Sequence, residues 1–194
     1  WDSTLPYGEI INILGDSDDL DTKYNTILHN YGLYKKQQKI DIDKFNIDKD
    51  EYKGYEKRLD KFIISIDPDG TKDIDDCFEY NLKDNGQAII TIHIADVIGV
   101  LQKLDKLELL KNKTTSVYAP NKILHMLPEI MSQNILSLLP GKVRLAVSLE
   151  IMIQNNQIVS KKWYKSIIKN KRAYSYDRFQ ELYYDNPDSH QYKI

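Results

Sequence analysis

Ten consecutive residues limit what this chain can fold into more than any others: Asp67-Pro68-Asp69-Gly70-Thr71-Lys72-Asp73-Ile74-Asp75-Asp76. Five carboxylates fall within them, and apolar runs stand on both sides. A loop tied between two buried strands cannot splay its charges freely into water. Carboxylates held close repel, so some protonate or a cation joins them. Mg²⁺ suits such a donor set, because it takes hard oxygen ligands in octahedral geometry and keeps several waters. The plain alternative is a solvated acidic turn. An EF-hand calcium loop fails on register: with Asp67 first, Lys72 stands where the Gly is required and Phe78 where the closing Glu belongs.

The flanks read as strands. Phe62 to Ile66 is a β-branched run, and Pro68-Asp69-Gly70 turns the chain after it. Cys77 to Leu82 alternates, with Phe78, Tyr80 and Leu82 on one face. Asp84-Asn85-Gly86 is a hairpin signal, and Ala88 to Ile94 is the returning strand. Asp96 to Gln102 and Asp105 to Lys113 predict helical turns, and Ser116 to Pro128 an irregular stretch. Pro128 suits the start of a helix running to Leu138, and Pro140-Gly141 breaks it. Arg144 to Ile153 and Gln157 to Ile168 are long strands around Asn155-Asn156, followed by a helix over Arg178 to Tyr184. The expected fold class is α/β (α+β), with a mixed, largely antiparallel sheet and surrounding helices. Upstream, Tyr7 to Leu14 predicts a short strand and Asp21 to Tyr31 a helix ended by Gly32. Lys35 to Asp60 is dense in Lys and Asp and reads as a linker with a solvated helix near 49–58.

Composition narrows the classes. With 27 Lys and Arg against 29 Asp and Glu, the net charge of -2 excludes a polycation that binds nucleic acid by bulk charge. The single cysteine, Cys77, excludes an internal disulfide framework. No signal peptide or membrane span is visible, so the expected location is intracellular, in the cytoplasm, with no membrane partner. The chain opens at Trp1 and stops at Ile194 in mid-pattern, which suggests a piece of a longer protein.

Several motifs resemble one family. Ile66-Asp67-Pro68 through Asp73-Ile74-Asp75-Asp76 resembles the first signature of the ribonuclease II (RNB) exoribonucleases, with the same spacing from first to last aspartate. His93-Ile94-Ala95-Asp96-Val97, Ser116-Val117-Tyr118 with Pro120, and Met126-Leu127-Pro128 with Ser132 follow in the family's order. So do Ser137-Leu138 with Pro140, Arg144 to Ser148, and Ser166-Ile167-Ile168 with Arg172 and Tyr174. Cys77, His125 and Leu139 depart from the family's usual residues, and none is an aspartate of the signature.

The resemblance implies a hydrolytic 3′-to-5′ exoribonuclease that releases nucleoside 5′-monophosphates from single-stranded RNA with a divalent metal, Mg²⁺ or Mn²⁺. It implies catalytic and metal-binding roles for Asp67, Asp73, Asp75 and Asp76. Asp67 and Asp76 would ligate one ion, while Asp73 and Asp75 would hold a second or orient the last nucleotide. Tyr118 matches the tyrosine that packs on the terminal nucleotide, and Asp69 lies off the pattern as a turn residue. His93 is expected to be structural, Asp96 a hydrogen-bonding or capping residue, and Arg144 a buried salt-bridge partner rather than a phosphate contact. Lys161, Lys162, Lys165, Lys169, Lys171 and Arg172 are either RNA-facing or merely solvated. On this resemblance residues 1–55 are a segment or linker after an OB or cold-shock domain, and 56–194 the first part of the catalytic domain. A non-catalytic RNA-binding scaffold on the same fold is the alternative.

Overall fold

The computed structural model describes residues 7–33, 40, 47, 52–111, 115–120 and 122–185. Most of the expected linker lies outside them. The chain forms two compact units, Trp1–Lys39 and Ile40–Ile194.

The first unit carries α1 (Leu20–Asn30), capped by Asp19, whose carboxylate accepts from the Thr22 N–H. Gly32 follows with φ +67°, the left-handed conformation that ends a helix cheaply. Tyr7 to Leu14 is not a strand. Ile10, Ile11 and Ile13 are at least 79% exposed there, and no strand of the described residues pairs with them.

The second unit is built on a closed barrel of β1 (Glu56–Asp67), β2 (Asp76–Leu82), β3 (Ala88–Ala95), β6 (Val143–Gln154) and β7 (Gln157–Ser175). Four of its pairings are antiparallel, and the closing pair, β1 with β7, is parallel. The largely antiparallel mixed sheet is therefore as expected, and its closure removes the free edges. β1 starts six residues before the expected Phe62. Its polar first half was read as part of the linker, but Glu56, Lys57 and Arg58 pair with Ser166, Ile167 and Ile168 of β7. A two-stranded sheet of β4 (Val117–Ala119) and β5 (Lys122–Leu124) replaces the irregular stretch expected at 116–128.

Small helices complete the unit: α2 (Val97–Lys103), a 3₁₀ turn at Leu107–Leu110, a π turn at Met131–Ile135 and α3 (Tyr176–Asp185). The helix expected over 128–138 is thus a single wide turn. Val100, Leu101, Leu109, Leu127, Met131 and Ile135 pack with Leu145 and Ile167 of the barrel wall. Burial of this apolar cluster drives that side of the fold.

Part of the barrel interior is polar. Thr91, His93, Ser148 and Ser166 are fully buried, and Glu79 and Arg58 nearly so. The Phe78, Tyr80 and Leu82 face of β2 is less buried than its Cys77 and Glu79 face. Arg58 grips both Glu79 oxygens at 2.9 and 2.6 Å, and Ser148 Oγ joins His93 Nδ1 at 2.7 Å and Ser166 Oγ at 2.6 Å. Most of these groups pair with one another, which offsets their burial, while Thr91 Oγ1 and His93 Nε2 have no hydrogen-bond partner among the described residues.

Candidate active site

The acidic decapeptide links the end of β1 to the start of β2. Asp67 is the last residue of β1, opposite Ser175 of β7, and Asp76 is the first residue of β2, opposite Ile94. Pro68 to Thr71 makes the turn: the Thr71 N–H and hydroxyl both donate to the Pro68 carbonyl, and Gly70 has φ +77°. Asp69 is an exposed residue of this turn, as expected.

Ile74 anchors the second half of the loop. Its side chain is 3% exposed and packs with Ile63, Cys77, Ala95, Leu138, Ala146 and Ile168. Its N–H donates to Ser137 Oγ at 2.9 Å, and its carbonyl accepts from the Leu138 N–H at 2.8 Å. The Asp75 carbonyl accepts from the Ala95 N–H at 3.0 Å. With Ile74 turned into the core, its neighbours Asp73 and Asp75 lie exposed.

The four aspartates share one electrostatic neighbourhood. Burial raises the Asp67 carboxyl above its ordinary value, hydrogen bonding to Ser65 opposes this, and Asp76 and Asp73 raise it further. Although Asp75 is exposed as a residue, partial burial of its carboxyl raises it as well, followed by repulsion from Asp73, Asp76 and Asp67. Oδ2 of Asp67 is buried with no hydrogen-bond partner. Among the described residues, however, no three His, Cys, Asp or Glu side chains gather closely enough to hold a metal ion. The donor chemistry and the orphaned Asp67 oxygen fit a hard divalent cation. A small open cleft beside the loop is lined by Asp67, Thr71, Ile74, Tyr174 and Ser175 among others.

The other expected site residues fall in different places. Tyr118 lies in β4, its ring 76% exposed. Its side chain makes no hydrogen bond or ring contact with another described residue, so nothing joins it to the loop. His93 is sealed in the barrel with Ser148 on one ring nitrogen and Glu79 3.6 Å from the other. That order mimics a nucleophilic triad, but all three residues are buried beyond the reach of a substrate. Asp96 caps α2 through the Gly99 N–H at 2.9 Å and also accepts from Tyr55 and Lys165. Arg144 is buried and pairs with no acid among the described residues. Its guanidinium donates to the carbonyls of Asn134, Ser137 and Val143, each at 2.9 Å. The carbonyls left open after a single turn replace the expected salt bridge. Within the basic stretch, Lys162 pairs with Glu56, Lys165 with Asp96, and Lys171 donates to the Leu59 carbonyl.

Ser137 and Asn170 hold the loop's support and were not singled out from the sequence as such. Ser137 sat inside a matched motif, but nothing local marks a serine that bonds a backbone 63 residues away.

The fold defines a class first: a mixed α/β barrel with an acidic strand-to-strand loop at one end. The chain belongs to the RNB domain family, and that domain matches residues 57–193. Ribonuclease R of Ureaplasma parvum is 31% identical over 90% of this chain and 25% of its own length. The structure of Mycoplasma genitalium RNase R with ribose-methylated single-stranded RNA matches with a TM-score of 0.68 at 27% identity, over 91% of this chain and 28% of that one. Yeast Ssd1, described as a pseudonuclease, matches with a TM-score of 0.71 at 20% identity, over 96% of this chain and 25% of that one. That last likeness concerns fold alone. The chain spans about a quarter of the length of the curated relatives it matches. Among the described residues no helix is long and apolar enough to cross a membrane.

Proposed function

We propose that this chain is the aspartate-bearing part of a 3′-to-5′ exoribonuclease that hydrolyses single-stranded RNA to nucleoside 5′-monophosphates with Mg²⁺ or Mn²⁺. The observation that carries this is the acidic loop itself, inside a matched RNB domain, with a buried and unpartnered oxygen on Asp67. Asp67 and Asp76, at the facing ends of β1 and β2, would hold one ion. Asp73 and Asp75 would hold a second or orient the terminal nucleotide. A divalent ion bound there supplies activation of water, polarisation of the phosphoryl oxygens and stabilisation of the leaving 3′-oxygen. Loss of mutual repulsion among the carboxylates favours that binding. The exposed ring of Tyr118 offers a stacking face, which tolerates any base.

A non-catalytic RNA-binding scaffold is the second reading. The unconverged carboxylates favour it. The two separate on one assay. A protein carrying this chain together with all that its gene encodes on either side is incubated with Mg²⁺ and 5′-labelled single-stranded RNA. The expected result is a ladder shortening from the 3′ end, abolished by Asp75→Asn and by chelation. Intact RNA with the unmutated protein would leave only the scaffold. The 194 residues alone are expected to give weak or no Mg²⁺-specific turnover.

A further inference from the structure

Behind the acidic loop lies a strap, residues 134–138, that is held from two sides. Arg144 takes the carbonyls of Asn134 and Ser137. Asn170, 1% exposed, donates from Nδ2 to the Leu138 carbonyl at 2.8 Å and to Ser65 Oγ at 3.2 Å. Its Oδ1 accepts from the Arg172 N–H at 3.1 Å, so the carboxamide cannot turn without losing bonds on both ends. The strap in turn holds Ile74 by its N–H and its carbonyl, through Ser137 Oγ and the Leu138 N–H. Ser137 is 1% exposed, so water cannot replace its hydroxyl.

We propose that Ser137 and Asn170 are positioning residues for the acidic loop: by fixing the Ile74 backbone they fix where Asp73 and Asp75 stand relative to Asp67 and Asp76, and so set metal affinity. This rests on the proposed metal-binding role of those aspartates. The physical reason is repulsion. The carboxylates repel and push the loop outward, against its turn at Pro68–Thr71 and the bond from the Ala95 N–H to the Asp75 carbonyl. Two backbone bonds and a buried side chain at Ile74 hold the stretch between. Released, Asp73 and Asp75 would relax apart, and a bound ion would have to restore their order.

The test measures Mn²⁺ binding to the 194-residue chain by electron paramagnetic resonance, alongside amide exchange at Ile74 and thermal unfolding without metal. Wild type is expected to bind Mn²⁺ saturably, and Asp67→Asn to lose it. Ser137→Ala should weaken affinity roughly tenfold to a hundredfold, the range for residues that orient metal ligands. Its Ile74 amide should exchange faster, while raised Mn²⁺ restores the wild-type stoichiometry. A general loss of structure would lower stoichiometry instead. If Ser137→Ala does not fold, Asn170→Ser, which shortens the side chain away from the Leu138 carbonyl, carries the same comparison. Wild-type affinity in a folded Ser137→Ala or Asn170→Ser protein with a freed Ile74 amide would overturn the positioning role alone. No saturable binding by wild type would overturn the metal reading and this inference with it.

Discussion

Arg58 and Glu79 form the most consequential charged pair of the barrel interior. Both are nearly buried, and Arg58 also reaches Glu56 at 2.8 Å. Burial alone would raise the Glu79 carboxyl, but His93 and the Arg58 guanidinium outweigh it and hold the group below its ordinary value of 4.5. A carboxyl depressed on folding stabilises the native state above its unfolded value and loses that contribution as pH falls through the folded one. Unfolding measured across the acid range should therefore show stability falling below about pH 4.5, with a shallower fall in Glu79→Gln. Arg58→Ala, which strands Glu79 in the barrel, should cost about 3–5 kcal/mol by urea unfolding. A paired change to Arg58→Met and Glu79→Leu should recover most of it. At this scale the sequence was only partly legible. Asp96 could be recognised as a cap from its place before an apolar turn. A polar barrel interior could not, because Thr91, His93 and Glu79 occupy the strand positions that alternation assigns to solvent.

Among the elements, hairpins were the most legible because their signals are local. Asn155 and Asn156 both adopt left-handed backbone, φ +49° and +60°, in the two-residue turn between β6 and β7. Asparagine tolerates that region and β-branched residues do not. Asn155→Val should cost about 1–2 kcal/mol by denaturant unfolding, whereas Asn155→Gly should be near neutral. Equal stability of the two variants would mean that the turn does not demand this geometry. Elements fixed by distant partners were not legible. The first half of β1 is a strand because β7 pairs with it in parallel, and polar Glu56 to Asp60 gave no hint of that. Pro128 to Leu138 had a helix start signal, yet Ser137 and Leu138 bond to Ile74 instead of continuing a helical ladder. Tyr7 to Leu14 had strand propensity and no partner. Tertiary pairing overrode local preference in each case.

For the molecule as a whole, barrel closure explains where the acidic loop stands. β1 and β2 are neighbours, so the loop between them is short and its two ends are held by paired strands. Ile74 and Leu138 pack against Ile63, Cys77, Ala95, Ala146 and Ile168, which leaves the aspartates at the rim. The motif order in the sequence identified this segment and the family, because the signature is local and its spacing intact. The geometry around it was not readable: the strap and its hold on Ile74 are long-range facts. The net charge of -2 takes on a different meaning here. On the proposed function, four of the acids would stand where a phosphodiester approaches, and a bound cation would make that place hospitable to phosphate. Anomalous diffraction from crystals of the protein soaked in Mn²⁺ tests this most directly. The expected result is a strong peak bounded by Asp67 and Asp76, with Asp73 or Asp75 turned toward it. A saturating soak that leaves the loop without a peak, its carboxylates still pointing into solvent, would contradict the assignment.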